Sequence, residues 1–207
     1  MWGSMNRITL ILALLFLTGG LMGQTIVGSG HDFSGEPWNT TGEICVVCHT
    51  PHEGDVSVTD APLWNHEVTT ATFTLYSSST LDATVGQPDG NSKLCLSCHD
   101  GTVAVDNFGG QTGGTVFVTG DALIGTEVND DHPISFTYDP ALATADGELN
   151  DPTTTPSGLG GTIAEDMLFN GELQCASCHD VHNSTGLPHL LIKSNNASAL
   201  CLTCHVK

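Results

Sequence analysis

Cys45-Val46-Val47-Cys48-His49-Thr50-Pro51-His52 is the stretch from which the rest of the chain can be read. Two cysteines two residues apart, followed at once by a histidine, recur as Cys95/Cys98/His99, Cys175/Cys178/His179 and Cys201/Cys204/His205. The four copies use all 8 cysteines, and the chain has only 10 histidines in 207 residues, so abundance does not explain a histidine after every second cysteine. The chemistry behind this spacing is specific. Two thiols so placed add to the two vinyl groups of one porphyrin, and the adjacent histidine then lies beneath the ring and binds the iron. Four c-type haems (haem c, iron) are therefore expected. Their tethers are Cys45, Cys48, Cys95, Cys98, Cys175, Cys178, Cys201 and Cys204, and their proximal ligands His49, His99, His179 and His205. Zinc ribbons do not require a histidine after each second cysteine. Two-residue gaps make poor disulfide staples, and thioredoxin-like motifs come singly on a βαβ unit.

Six histidines remain as candidates for the sixth iron position: His31, His52, His66, His132, His182 and His189. Methionine, the other common axial ligand, is scarce, and only Met167 lies outside the leading segment. Bis-histidine, low-spin irons follow. His52 and His182 each sit three residues beyond a proximal histidine, too close to reach the far face of their own haem, and are expected to cap a neighbouring one. His31 and His132 precede the first and third motifs in turn-prone sequence. Six candidates for four irons leave two spare, with His66 and His189 the less favoured.

The motifs are duplicated. Segment 92–99 matches 198–205 at six of eight positions, and 44–53 resembles 174–183 in its Cys-x-x-Cys-His-x-x-His core. An internal repeat of this kind suggests two dihaem modules, 24–115 and 116–207. Between the motif pairs the chain is rich in Gly, Thr and Asp, with short strands expected at Thr115–Thr119 and Ile134–Tyr138. Short helices are expected from Asn195 or Asn196 through His205 and around Glu165–Phe169. Aromatic residues make up only 6% of the chain. The expected fold class is a multihaem cytochrome c: mostly irregular coil with short helices at the haem motifs and a few short strands, organised around four covalently bound haems. Tethers and iron bonds take the place of a conventional core.

Charge bounds the partners. The chain has 23 acids and 4 bases, a net of −19, which argues against a nucleic-acid binder and against docking on an anionic membrane surface. Arg7, the apolar run Ile8–Leu17 and the small residues that follow have the layout of a secretory signal over residues 1–23. The run is shorter than the roughly 20 apolar residues of a membrane span, so no stable span is expected after cleavage. The mature chain then sets Lys93, Lys193 and Lys207 against 23 acids, a net of −20.

The chain resembles the multihaem c-type cytochromes with doubled Cys-x-x-Cys-His motifs, in particular the exported tetrahaem cytochromes of metal-reducing bacteria and the OmcE-type filament (nanowire) subunits among them. The likeness rests on the motifs above together with His31-Asp-Phe-Ser34, Pro62-Leu-Trp-Asn65, Asp131-His-Pro-Ile-Ser-Phe136 and Cys175-Ala-Ser-Cys-His-Asp-Val-His-Asn183. It implies His31, His52, His132 and His182 as distal ligands. It also implies extracellular electron transfer, self-assembly into a homopolymer, and redox donor and acceptor proteins or extracellular minerals as partners. In such filaments a histidine of one subunit completes a haem of the next; His31, on a short N-terminal arm, is the residue expected to cross here. The alternatives are a monomeric periplasmic shuttle and a multihaem oxidoreductase. The latter needs an open iron, which six spare histidines argue against, so the protein is not expected to be an enzyme. Subunits near −20 should repel one another at low salt, which calls for large interfaces or cation bridging through Glu127, Asp130 and Asp131.

Overall fold

The computed structural model describes residues 26–59 and 61–206, so the expected signal segment lies outside the described residues. Regular structure within them is sparse. Helix α1 (Gly90–His99) is the longest, followed by α2 (Pro140–Asp146), α3 (Ile163–Asp166) and α4 (Cys201–Cys204). Strands β1 (Phe136–Thr137) and β2 (Glu172–Leu173) pair antiparallel, Phe136 opposite Leu173. The rest is turns and coil with isolated 3-10 turns, one of them Cys175–Ser177. No helix among the described residues is long and apolar enough to cross a membrane.

Local chemistry sets these boundaries. α1 stops where Gly101 takes φ 73°, the left-handed conformation that glycine reaches without penalty. Asp139 caps α2 by accepting from the Leu142 amide at 2.8 Å, and Pro140 suits the first turn, where no amide partner is needed. Thr162 and Glu165 form a reciprocal capping box on α3, which places that helix slightly before the expected Glu165–Phe169. The expected helix from Asn195 to His205 is broken because Ala197 and Ser198 adopt φ 51° and 62°; only α4 is helical. Of the expected strand Ile134–Tyr138 the pair Phe136–Thr137 forms β1. Thr115–Thr119 forms no strand. The amides of Thr115 and Val116 donate instead to the Asp106 carboxylate at 3.2 and 3.0 Å, a side-chain partner in place of a neighbouring strand.

The apolar core is divided into small clusters. The largest joins β1 and β2 to α2, α3 and α4 through Phe136, Tyr138, Ile163, Met167, Leu173 and Leu200. Two smaller ones, Val58/Trp64/Leu94 and Phe73/Leu96/Val128, lie on either side of α1 residues. Met167 is 2% exposed within the largest cluster, so the thioether is committed to packing. A chain built this way brings its motifs together but leaves apolar space between them.

Candidate haem-binding site

The first and third motifs share one hydrogen-bond scaffold. His49 Nδ1 lies 2.7 Å from the Pro62 carbonyl oxygen, the Thr50 amide donates to Leu63 at 2.9 Å, and the Asn65 amide donates to Cys48 at 3.0 Å. His179 Nδ1 lies 2.8 Å from the His189 carbonyl, the Asp180 amide donates to Leu190 at 2.6 Å, and the Ile192 amide donates to Cys178 at 3.0 Å. Even the left-handed turn residues correspond, Leu63 at φ 53° and Leu190 at φ 55°. His189 thus occupies the place of Pro62, a backbone role behind the proximal histidine. His99 Nδ1 is likewise 2.6 Å from the Ala122 carbonyl, and His132 Nδ1 is 2.8 Å from that of Pro133. An imidazole that donates through Nδ1 keeps its lone pair on Nε2, the form and orientation that bind iron.

The four motifs lie in a row in sequence order. The Cys48 sulfur is close enough to act electrostatically on Cys98 and Cys95. Cys95 and Cys175 are hydrogen-bonded to each other, which with burial holds the Cys95 proton on. Cys178 is in turn close to Cys201 and Cys204. The middle of the row is clamped by α1 against the 3-10 turn of the third motif. The Cys175 amide donates to Ser92 Oγ at 2.9 Å, Ala176 to Asn91 Oδ1 at 3.2 Å, and buried Gln174 donates to Asp89 at 2.9 Å. Ser92, fully buried, lets the backbones approach this closely.

Three histidine pairs face each other across the chain. His49 and His182 have ring centroids 6.2 Å apart with planes at 16°; His31 and His99 are at 5.9 Å and 57°; His132 and His205 are at 6.3 Å and 73°. A metal–imidazole bond is about 2.0–2.1 Å and the nitrogen lies about 1.1 Å from its ring centre, so two imidazoles across one metal have centroids about 6.3 Å apart. Each pair joins one proximal histidine to one expected distal histidine. His31, expected to reach a neighbouring subunit, is instead opposite His99 of its own chain. Burial, and then the His99 imidazole, lower its pKa to about 4, which keeps it neutral and able to bind a metal. His52 and His179 are both exposed, and neither has a facing imidazole among the described residues. His66 is buried and belongs to none of these pairs, a placement that the spacing of the sequence does not reveal.

The surroundings suit a porphyrin. Burial first, with neighbouring cysteines, pushes the Cys48, Cys178 and Cys204 thiols up to about 11, unlike the low values of reactive redox thiolates. No disulfide joins the eight cysteines. A mostly apolar cleft of about 200 Å³ opens at Cys175, Cys178 and His179, walled by Leu96, Ile124 and Leu173. Among the described residues two buried polar atoms lack a partner, His31 Nδ1 and Trp64 Nε1, and a haem carboxylate is the kind of acceptor they need. No three His, Cys, Asp or Glu side chains among the described residues converge to hold a bare metal ion. Glu127, Asp130 and Asp131 therefore form no cation site within the one chain. Each iron would take its remaining ligands from the porphyrin.

Comparison with known proteins bears on the motif itself. No curated protein matches the chain. Residues 168–207, which hold the third and fourth motifs, match the family model described as the doubled CXXCH motif. With the tethers and ligands placed as above, that match supports a multihaem c-type cytochrome, a haem-binding electron-transfer protein.

Proposed function

We propose that the chain is an exported tetrahaem electron carrier whose irons are all bis-histidine, and that it is not an enzyme. The observation that carries this reading is the set of three histidine pairs at 5.9–6.3 Å, each holding one proximal residue. Haem 1 takes His49 and His182, haem 2 takes His99 and His31, and haem 4 takes His205 and His132. Bound haem supplies reversible one-electron chemistry at iron. The chain's own residues fix order and orientation: the clasp between α1 and the third motif holds neighbouring tethers together, and backbone carbonyls set the imidazole tautomers. With both axial positions of haems 1, 2 and 4 filled from the chain, and the second position of haem 3 by a second copy, no iron is left open to a substrate. Electron paramagnetic resonance of the ferric protein should show low-spin signals throughout. A five-coordinate high-spin signal in the freshly purified protein, or carbon monoxide binding without denaturation, would favour the oxidoreductase reading.

The remaining ligand points to polymerisation. His182 of the second repeat faces His49 of the first, and His52 is the residue equivalent to His182 in the first repeat. Applying the same step once more sets His52 of one copy opposite His179 of a second copy. Such a contact is heterologous, and a heterologous contact that does not close generates a filament. Val56, 88% exposed, and Leu63, 56% exposed, offer apolar surface beside the first motif for that contact. The assembly would extend the haem row from chain to chain and carry electrons beyond the cell surface. Electron microscopy of cell-surface material should show filaments containing this chain; dispersed periplasmic monomers would favour the shuttle.

A further inference from the structure

His66 is left over by the haem sites, yet it is 2% exposed. Its Nδ1 lies 2.8 Å from the Glu67 carbonyl oxygen and its Nε2 lies 3.0 Å from the Ala104 carbonyl oxygen. Carbonyl oxygens only accept. A neutral imidazole has one N–H and one lone pair, so it satisfies one of these oxygens and sets its lone pair against the other; the imidazolium donates to both. An unmet polar contact of this kind is costly in a buried place. The ring also lies against the second haem tether, with Cys98 Sγ 3.5 Å from Nε2 and 3.8 Å from Nδ1.

We propose that His66 is a buried imidazolium that clamps the backbone at Glu67 and Ala104 around Cys98 and places a fixed positive charge beside haem 2. The proposal rests on the haem reading above. Its ring acts on the iron from beyond the tether, as a positioning and potential-tuning residue. When a chemical reductant or an electrode delivers one electron, ferric iron becomes ferrous and the site gains one negative charge. The ring stays protonated in both states, so no proton moves. A neighbouring cation favours the reduced form, and in a chain this acidic it makes haem 2 easier to reduce. The charges facing the same place are few. Asp100, close to Cys98 at the end of α1, is buried and held by the hydroxyls of Thr69 and Thr102 at 2.5 and 2.8 Å, so its carboxylate is committed to them. The Glu67 carboxylate is turned to Asn107 at 2.5 Å, and Trp64 covers the ring edge-on with centroids 6.2 Å apart.

A unit charge acting over about 10 Å at an effective dielectric of about 20 changes a one-electron equilibrium by about tenfold or more. The test is His66→Gln in the full haem-loaded chain, compared with the unsubstituted protein by spectroelectrochemical titration. With four haems counted by intact mass, one midpoint should fall by about tenfold in its equilibrium, about 59 mV for one electron, and the others by less. Unchanged midpoints with four haems attached would overturn the proposal. Should His66→Gln fail to mature, nitrogen-15 histidine spectra of the reduced unsubstituted protein decide the matter. A non-ligand imidazole with both nitrogens protonated supports the proposal, and a neutral His66 ring overturns it. An intact mass without haem would refute the haem reading itself, a result distinct from either.

Discussion

His182→Ala should leave all four haems attached and convert one of them from low-spin to high-spin. In the proposed assignment the two thioethers and the proximal histidine of haem 1 come from Cys45, Cys48 and His49, none of which depends on His182 for position. His49 is held by the Pro62 carbonyl at 2.7 Å. The His182 ring is 67% exposed, and its one charged neighbour is Asp180 at 3.9 Å, so truncation removes little packing. What it removes is the ring 6.2 Å from His49, the proposed second ligand of haem 1. The open position should then bind carbon monoxide at about one per chain, against none in the unsubstituted protein. Absorption spectra of the reduced protein with and without the gas measure this directly. A variant that keeps four haems, all low-spin and unreactive, would mean that His182 is not the ligand. The effect is large because it is a change of coordination number, not a shift in packing energy.

Much of this site is legible in the sequence because covalent chemistry constrains it. Two thiols and a histidine must be adjacent to hold one porphyrin, so the expected tethers and proximal ligands follow from spacing alone. The expectation that His182 serves a neighbour follows from geometry as well, since three residues do not carry a side chain around its own haem. Which neighbour is a matter of tertiary structure. His31 faces His99 because the N-terminal arm folds back through its own turns, with the Asp32 carboxylate accepting from the Gly28 and Ser34 amides at 2.7 and 3.2 Å. Nothing in the spacing of His31 to the first motif reports that. The roles of His66 and His189 were equally hidden, because both depend on backbone carbonyls that any residue could supply. The secondary structure was the least legible part. The strand expected at Thr115–Thr119 is lost to the carboxylate of Asp106, and the helix expected before His205 is interrupted at Ala197 and Ser198. In a chain with so little apolar core, single side-chain hydrogen bonds outweigh β-propensity over a few residues.

His52→Ala should abolish polymerisation while leaving a folded chain with four haems. Its side chain is exposed and is not part of the three clusters that form the core. Chains of this charge, 23 acids against four bases for a net of −19, repel one another, so apolar contact alone is a weak basis for assembly. An iron–histidine bond across the interface answers that objection, because its strength does not fall with ionic strength as a surface ion pair does. If that bond contributes about 4 kcal/mol, its loss weakens association by about 1,000-fold. The predicted outcome is therefore soluble monomers with one high-spin haem, the one held by His179. His189→Ala is the contrasting variant. It removes a ring whose backbone carbonyl alone serves His179 Nδ1, at 2.8 Å, and filaments should persist. Size-exclusion chromatography, negative-stain microscopy and the spin state of the dispersed protein read all three consequences. Intact filaments from His52→Ala, or fully low-spin monomers in the unsubstituted protein at high dilution, would show that the fourth iron is completed within the chain. The acid excess would then count against a filament, since nothing strong would hold like-charged subunits together.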